Sequence, residues 1–262
     1  MTVLIKGAGD LASGIAIRLY RSKIKVIMTD LQKPTAIRRT VCFSQAIING
    51  ETKVEDVKAV FADNAKSAIK ILNDGFIPVL ADENGDCIKE LKPDIVVDAI
   101  LAKYNTGTRI TNAPVVIAVG PGFTAGVDCH AVIESKRGHY LGRVILEGSA
   151  ADNTGVPGNI GGYTTERIIR AVKDGNFVTN AQIGDIVTAG QIVAFVDDEP
   201  VRCSIGGVLR GILPDNTPVF KGMKSGDVDP RGNIEHCYTV SDKALSIGGG
   251  VLEAIFRLYN KG

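Results

Sequence analysis

Apolar residues fall into short blocks punctuated by glycine and polar turns, and the spacing within each block predicts its element. Thr2 to Lys6 reads as a strand running straight into Gly7-Ala8-Gly9-Asp10. Beyond the turn, Leu11, Ile15 and Leu19 share one helical stripe with Ala12 and Ala16 beside it. Lys25 to Thr29 forms a second strand, ending at Asp30. Further strand-like runs recur at Lys58–Ala62, Phe76–Ala81, Ile95–Ala99 and Val115–Val119. A helix over Asn64 to Leu72 separates the first two, with Ala65, Ala68, Ile69 and Leu72 as its expected buried face. Strands alternating with helices predict a mostly parallel sheet covered by helices.

Strand, glycine turn, helix, strand and terminal acid is the order of a dinucleotide-binding βαβ unit. In that reading Gly7 makes the tight turn, Ala8 and Gly9 line a pyrophosphate at the helix N-terminus, and Ala12 permits close helix packing. Asp30 would accept hydrogen bonds from a ribose hydroxyl, which favours NAD over its phosphorylated form. Asp10 departs from the pattern by placing a negative charge beside the phosphate site. A second glycine turn, Gly120-Pro121-Gly122-Phe123-Thr124-Ala125, also follows a strand. If both strands share a sheet, Gly120 and Gly122 form an anion-binding nest on the same carboxyl edge. The alternative is a glycine turn that binds no nucleotide.

Two of the three histidines lie in residues 126–165. A strand over Val127 to Ser135 would put Asp128 and His130 on one face and Cys129 on the other. An Asp–His pair can orient a proton transfer, and a thiol can act as a nucleophile if its pKa is depressed. Asp128, Cys129, His130 and His139 are therefore the candidate catalytic residues. The alternative is a His130 satisfied by Asp128 or by backbone. Two ligands do not make a metal site, and none is assigned. Residues 153–162 read as a long glycine-rich loop.

Residues 166–230 repeat at an offset of 32: Arg170 matches Arg202, Gly175 Gly207, Phe177 Leu209, Val187 Val219 and Gly190 Gly222. Two such halves, with the phrase Ile183-Gly184-Asp185-Ile186-Val187-Thr188-Ala189-Gly190-Gln191, resemble the barrel-sandwich module of biotinyl and lipoyl carriers. The hairpin Val196-Asp197-Asp198-Glu199-Pro200 lacks the lysine those carriers modify, so neither biotin nor lipoate is expected. A final helix starts after Ser241 as N-cap, and Gly248-Gly249-Gly250 predicts a kink or a close backbone contact within it. The expected fold is thus α/β. A Rossmann-like parallel sheet occupies 1–165, an all-β barrel-sandwich 166–232, and a C-terminal segment with its helix 233–262.

Composition narrows the function classes. The 262 residues carry 30 Lys+Arg against 29 Asp+Glu, a formal charge of +1, and only 5% aromatics with no tryptophan. That balance argues against nucleic acid as a partner, since both a basic footprint and stacking platforms are missing. No apolar run reaches the roughly 18 residues a membrane span needs, and no signal peptide opens the chain, so a cytoplasmic protein without a membrane partner is expected. Five cysteines, without a CxxC pair, fit a reducing compartment.

Four segments together, Ile5 to Gly14, Gly120-Pro121-Gly122-Phe123, Gly222-Met223-Lys224 and Asp227-Val228-Asp229-Pro230-Arg231, resemble the accessory protein family of the selenium-dependent molybdenum hydroxylase system. The resemblance runs nearly end to end. It implies a helper in maturation of a xanthine-dehydrogenase-like enzyme, with the hydroxylase and other maturation proteins as partners. It brings no established catalytic residue, and it leaves open whether the chain is an enzyme and whether it forms homo-oligomers. Cys129 and Cys42 are the candidate thiols for selenium. The implied ligand is of dinucleotide type, either nucleotide-bearing molybdenum cofactor or NAD. The competing readings are a non-catalytic docking scaffold and an NAD-dependent oxidoreductase.

Overall fold

The computed structural model describes residues 1–259; residues 260–262, the end of the expected terminal segment, lie outside the described residues. The chain divides into two compact units. The first holds 1–34, 42–154 and 240 onward, and the second holds 35–41 and 155–239.

In the first unit, β1 (Thr2–Lys6), α1 (Asp10–Arg21) and β2 (Lys25–Asp30) are followed by α2 (Gln45–Asn49), β3 (Glu51–Val54) and β4 (Val57–Ala62). Next come α3 (Ala65–Asn73), β5 (Ile77–Ala81), α4 (Ile88–Leu91), β6 (Ile95–Asp98) and β7 (Val115–Val119). Four short strands end the series: β8 (Thr124–Ala125), β9 (Ala131–Ile133), β10 (Val144–Ile145) and β11 (Gly148–Ser149). One nine-stranded sheet runs in the order β10-β9-β7-β6-β1-β2-β5-β4-β3, parallel except for its antiparallel edges β10 and β3. Strands β6 and β7 are buried along their whole length, as parallel strands covered on both faces must be.

This order corrects the expected fold class. In a dinucleotide-binding sheet, successive strands are laid outward from β1 in order. Here β5 inserts between β2 and β4, and the hairpin partner β3 closes the edge. The sheet is a large mixed one rather than a Rossmann-like domain. The terminal helix, α5 (Asp242–Leu258), belongs to this unit and packs on α1.

Helices α1 and α5 run parallel. Gly14 faces the Ala244 Cβ, Gly248 faces the Gly14 carbonyl, and Arg18 Nη2 donates to Leu245 O at 3.0 Å. The Ser241 side chain caps α5 by accepting from the Ala244 N–H. The three central glycines do not break α5, which is continuous across them. Gly248 lets α1 approach, while Gly250 lies directly under the Gly142 carbonyl. On α3 the expected buried face is narrower than predicted. Ala65 and Ala68 are buried, but Ile69 is 49% exposed.

The second unit contains β12 (Ile168–Arg170), β13 (Gly175–Thr179), β14 (Ile186–Val187) and β15 (Ile192–Val196). They are followed by β16 (Glu199–Arg202), β17 (Gly207–Ile212), β18 (Thr217–Val219) and β19 (Lys224–Asp229). Two four-stranded sheets, β12-β19-β17-β14 and β16-β15-β13-β18, share one core that includes Phe177, Val193, Val196, Leu209, Ile212 and Val228. Shifting each strand by 32 residues maps one sheet order onto the other. Side chains follow the same relation: Arg170 Nη1 donates to Gly222 O and Arg202 Nη1 to Gly190 O, both at 2.8 Å. Gly190 and Gly222 share a φ of 82°.

The expected barrel-sandwich over 166–232 is corrected here too. Ile37, from the 35–41 segment, packs on this core, and its carbonyl accepts from the Ile212 N–H at 3.0 Å, so the unit draws on two separated stretches of chain. The symmetry breaks at Asp229. Its counterpart Asp197 is on an exposed hairpin, whereas Asp229 is fully buried against Arg231, with Arg210 and His236 beyond. Burial alone would raise the Asp229 carboxyl. The Arg231 hydrogen bonds outweigh it and hold the group at about 2.

Candidate functional site

Strands β7, β6 and β1 are neighbours and parallel, so the turns that follow them leave the same carboxyl edge of the first unit's sheet. Ligands in open α/β sheets bind outside that edge. Both sequence-predicted glycine turns are therefore on one side, two strand spacings or about 10 Å apart.

What lies against those glycines is the chain itself. A Cβ on Gly7 (φ 97°) would sit 2.9 Å from Ala99 O and 3.2 Å from Ile100 Cα. On Gly120 (φ 81°) it would meet Ser135 Oγ at 2.6 Å and Leu101 Cδ2 at 3.4 Å, and on Gly122 (φ 101°) the Tyr104 N at 2.8 Å. Residues 99–104 thus pass across all three as a strap, with Leu101 and Lys103 themselves left-handed at φ 63° and 70°. A buried network ties the strap's far side to the sheet. Lys6, only 2% exposed, donates to Thr108 Oγ1 at 2.9 Å, and that hydroxyl donates to Asp98 Oδ2 at 2.5 Å. The Lys6 ammonium is also 3.7 Å from Asp98 Oδ2. Sequence reasoning missed both the strap and Lys6, although a lysine inside the apolar run of β1 was a visible signal.

Gly9 differs from the other turn glycines. It is the N-cap of α1 in an extended conformation, no side chain caps the helix there, and a Cβ at this position would meet nothing within 4 Å. Asp10 follows in the first turn, and Ala12 is buried against the fold. The Ala8 N–H is already engaged, donating to Asp30 Oδ2 at 2.7 Å, while Leu31 N–H donates to Asp30 Oδ1. Burial raises the Asp30 carboxyl, and these two hydrogen bonds oppose the rise. Asp30 therefore fastens the turn. Ala8 O accepts from Ser44 N–H and Ser13 Oγ, which closes the other side of the turn.

Beside Asp10 lies Lys243, in the first turn of α5. Burial lowers its pKa, with the Arg137 charge adding to the effect and Asp10 and Glu134 opposing it. Arg137 pairs with Asp242 at 2.6 Å, and Glu134 accepts backbone N–H groups from Lys136 and Ala151. The parallel N-termini of α1 and α5 therefore meet in a cluster of titratable groups. The periodicity could locate each helix but not their adjacency.

The candidate catalytic residues do not assemble. Only Ala131–Ile133 is strand, so the alternation expected over Val127–Ser135 fails; 126–128 is turn, and Cys129 makes an isolated bridge to Ala125. Asp128 caps that turn, accepting the Thr124 N–H at 2.8 Å and the Asn105 amide at 3.3 Å. His130 Nδ1 accepts the Val116 N–H at 3.0 Å. Cys129 is fully buried, and that burial, with the Asp128 charge, pushes its thiol up to about 12. Cys42 is buried as well. His139 is exposed, edge-on to Tyr140. Among the described residues no group of three or more His, Cys, Asp or Glu side chains is placed to hold a metal ion, and no helix is long and apolar enough to cross a membrane.

No family model matches the chain. It is 53% identical over 260 residues to the uncharacterized protein YqeB of Escherichia coli (strain K12). The match covers 99% of this chain and 48% of that protein, so the chain spans about half the length of the curated relative it matches. Among solved structures, an aspartoacylase family protein from Mesorhizobium loti aligns at 10% identity over 87% of this chain and 83% of that one, with a TM-score of 0.27. A succinylglutamate desuccinylase/aspartoacylase from Rhodobacter sphaeroides aligns at 14% identity over 87% and 84%, with a TM-score of 0.28. At such scores the fold description rests on the strand order given above.

Proposed function

We propose that the chain is a cytoplasmic accessory protein in maturation of a selenium-dependent molybdenum hydroxylase, and that it holds a dinucleotide-type ligand before the N-terminus of α1. The observation that carries the ligand site is Gly9, the turn glycine with open space where a side chain would be and with no side-chain cap on the helix behind it. Free N–H groups of a helix N-terminus carry about half a positive charge and suit a pyrophosphate. Asp10 offsets part of that charge, so the reading leans on the open space more than on the field. The maturation role rests on the resemblance carried by Ile5–Gly14, Gly120–Phe123 and Asp227–Arg231. Five free cysteines are consistent with a reducing compartment.

A second reading, a docking scaffold that binds no nucleotide, draws on the strap. Gly7, Gly120 and Gly122 make room for residues 99–104, which is reason enough for glycine at those positions.

Gly9→Asp separates the two. Aspartate is a favoured N-cap and meets no neighbour here, so the fold should tolerate it, while its carboxylate would occupy the phosphate's place. Native mass spectrometry in competition between NAD(H) and nucleotide-bearing molybdenum cofactor reads the outcome. Retention of the molybdenum cofactor by the native chain and its loss in the variant supports the first reading, and retention of NAD(H) redirects it to a redox role. If neither stays bound, the scaffold stands.

A further inference from the structure

At the opposite end of α5 from Lys243, the turn between β9 and β10 bounds an open surface depression of about 490 Å³. The helix rise puts it about 20 Å along α5 from the Gly9 region. Its frame is rigid. Gly142 (φ 81°) packs on Ser246, and its carbonyl rests on Gly250, so the turn and helix are locked backbone to backbone.

The lining is cationic and aromatic. Arg143 and Arg257 contribute two guanidiniums, His139 an imidazole, and Leu141 and Val144 an apolar wall. Glu253 supplies a carboxylate, but it is committed to Arg257 at 3.1 Å. Arg143 has no carboxylate within 4.0 Å among the described residues. It is held over the ring of Tyr140, 4.5 Å from the ring centroid, by a cation–π contact. A guanidinium positioned this way keeps its N–H donors unspent, in the fork geometry that suits phosphate and carboxylate oxygens. Tyr140 is itself 57% exposed, with His139 edge-on at 4.9 Å, so aromatic surface lies beside the cation.

We propose that this depression is a binding site for a phosphate carried on a planar heterocycle, of the nucleoside monophosphate class, with Arg143 receiving the phosphate and the heterocycle lying against the exposed side of the edge-on His139–Tyr140 pair. The site is separate from the one before α1 and does not depend on it.

The test titrates the full chain with AMP, CMP, adenosine and inorganic phosphate by isothermal calorimetry. Both key side chains are solvent-exposed, so Arg143→Ala and Tyr140→Ala should fold as the native chain does, which circular dichroism checks. The expected result is that at least one monophosphate binds more tightly than adenosine or inorganic phosphate alone, and that each substitution weakens it tenfold or more. Gly9→Asp should leave this binding unchanged, and a loss there would assign the signal to the α1 site and overturn the proposal. It is also overturned if neither monophosphate binds at millimolar concentration, if inorganic phosphate binds as well as AMP, or if Arg143→Ala binds like the native chain.

Discussion

Three consecutive glycines in α5 meet three different surroundings, and alanine at each should change stability with a different sign. Glycine in a helix interior costs about 1 kcal/mol relative to alanine. At Gly249 a Cβ meets nothing within 4 Å, so Gly249→Ala should keep that gain in full. At Gly248 the Cβ would sit 3.2 Å from Arg18 Cβ and 3.3 Å from Gly14 O. Those neighbours must yield by a few tenths of an ångström, which should cancel the gain to within about 0.5 kcal/mol. At Gly250 the Cβ falls onto Gly142 O and lies 2.9 Å from Ile133 Cγ2. Gly142 is tethered on its far side, where its N–H donates to Glu134 O at 2.8 Å. Overpacking of this kind costs about 1–3 kcal/mol, and a backbone obstacle belongs at the upper end, so the net loss should be about 2 kcal/mol after the propensity gain. The variants should therefore span about 3 kcal/mol, with Gly249→Ala above the native chain, Gly248→Ala beside it and Gly250→Ala below. Urea unfolding followed by far-ultraviolet circular dichroism gives the differences directly from the midpoints. A Gly250→Ala protein as stable as the native chain would refute the backbone contact on which α5's docking rests.

Three other perturbations probe separate parts of the structure. The Asp229 carboxyl is depressed from its ordinary 3.8 to about 2, so its stabilisation is present above pH 3.8 and lost as pH falls through 2. Asp229→Asn should cost about 2 kcal/mol at neutral pH and progressively less below pH 4, and a deficit that stayed constant across an acid titration of the urea midpoint would contradict the assignment. Lys6→Met leaves Asp98 buried without its cation, which should cost about 3–5 kcal/mol, and a melting temperature equal to that of the native chain would show that the pair contributes nothing. The buried Cys129 thiol, at about 12, should resist iodoacetamide at pH 8 in the folded protein and react once urea is added. Fast labelling of the native chain at this residue, located by peptide mass spectrometry, would reopen its candidacy as a nucleophile.

Much of the secondary structure was legible because it is written locally. The 3.6-residue stripe of Leu11, Ile15 and Leu19 marks α1, the apolar runs mark β1, β2, β6 and β7, and Ser241 marks the start of α5. The two halves of the second unit were visible as self-similarity, since equal local environments select similar residues at Gly190 and Gly222 or Arg170 and Arg202. The turn at 126–128 was misread because Asp128 bonds the Thr124 N–H, and such side-chain competition for backbone groups leaves little trace in an alternating pattern. Ile69 was misplaced because periodicity gives a stripe but not its width.

The sequence by itself determined where strands and helices lie, which turns need glycine, and that one unit is built twice over. Tertiary structure alone decided that β5 separates β2 from β4, that α5 returns to lie along α1, and that residues 35–41 complete the distant second unit. It also decided what the turn glycines make room for: the strap at Gly7, Gly120 and Gly122, and open space at Gly9. The physical reason is the same in each case. Helix and strand periods are set by neighbours a few positions away, whereas sheet order and the atoms facing a missing Cβ come from distant partners, as far apart as the 227 residues between Arg18 and Leu245. Their pairing depends on total burial and hydrogen-bond closure across the fold, which no local pattern records.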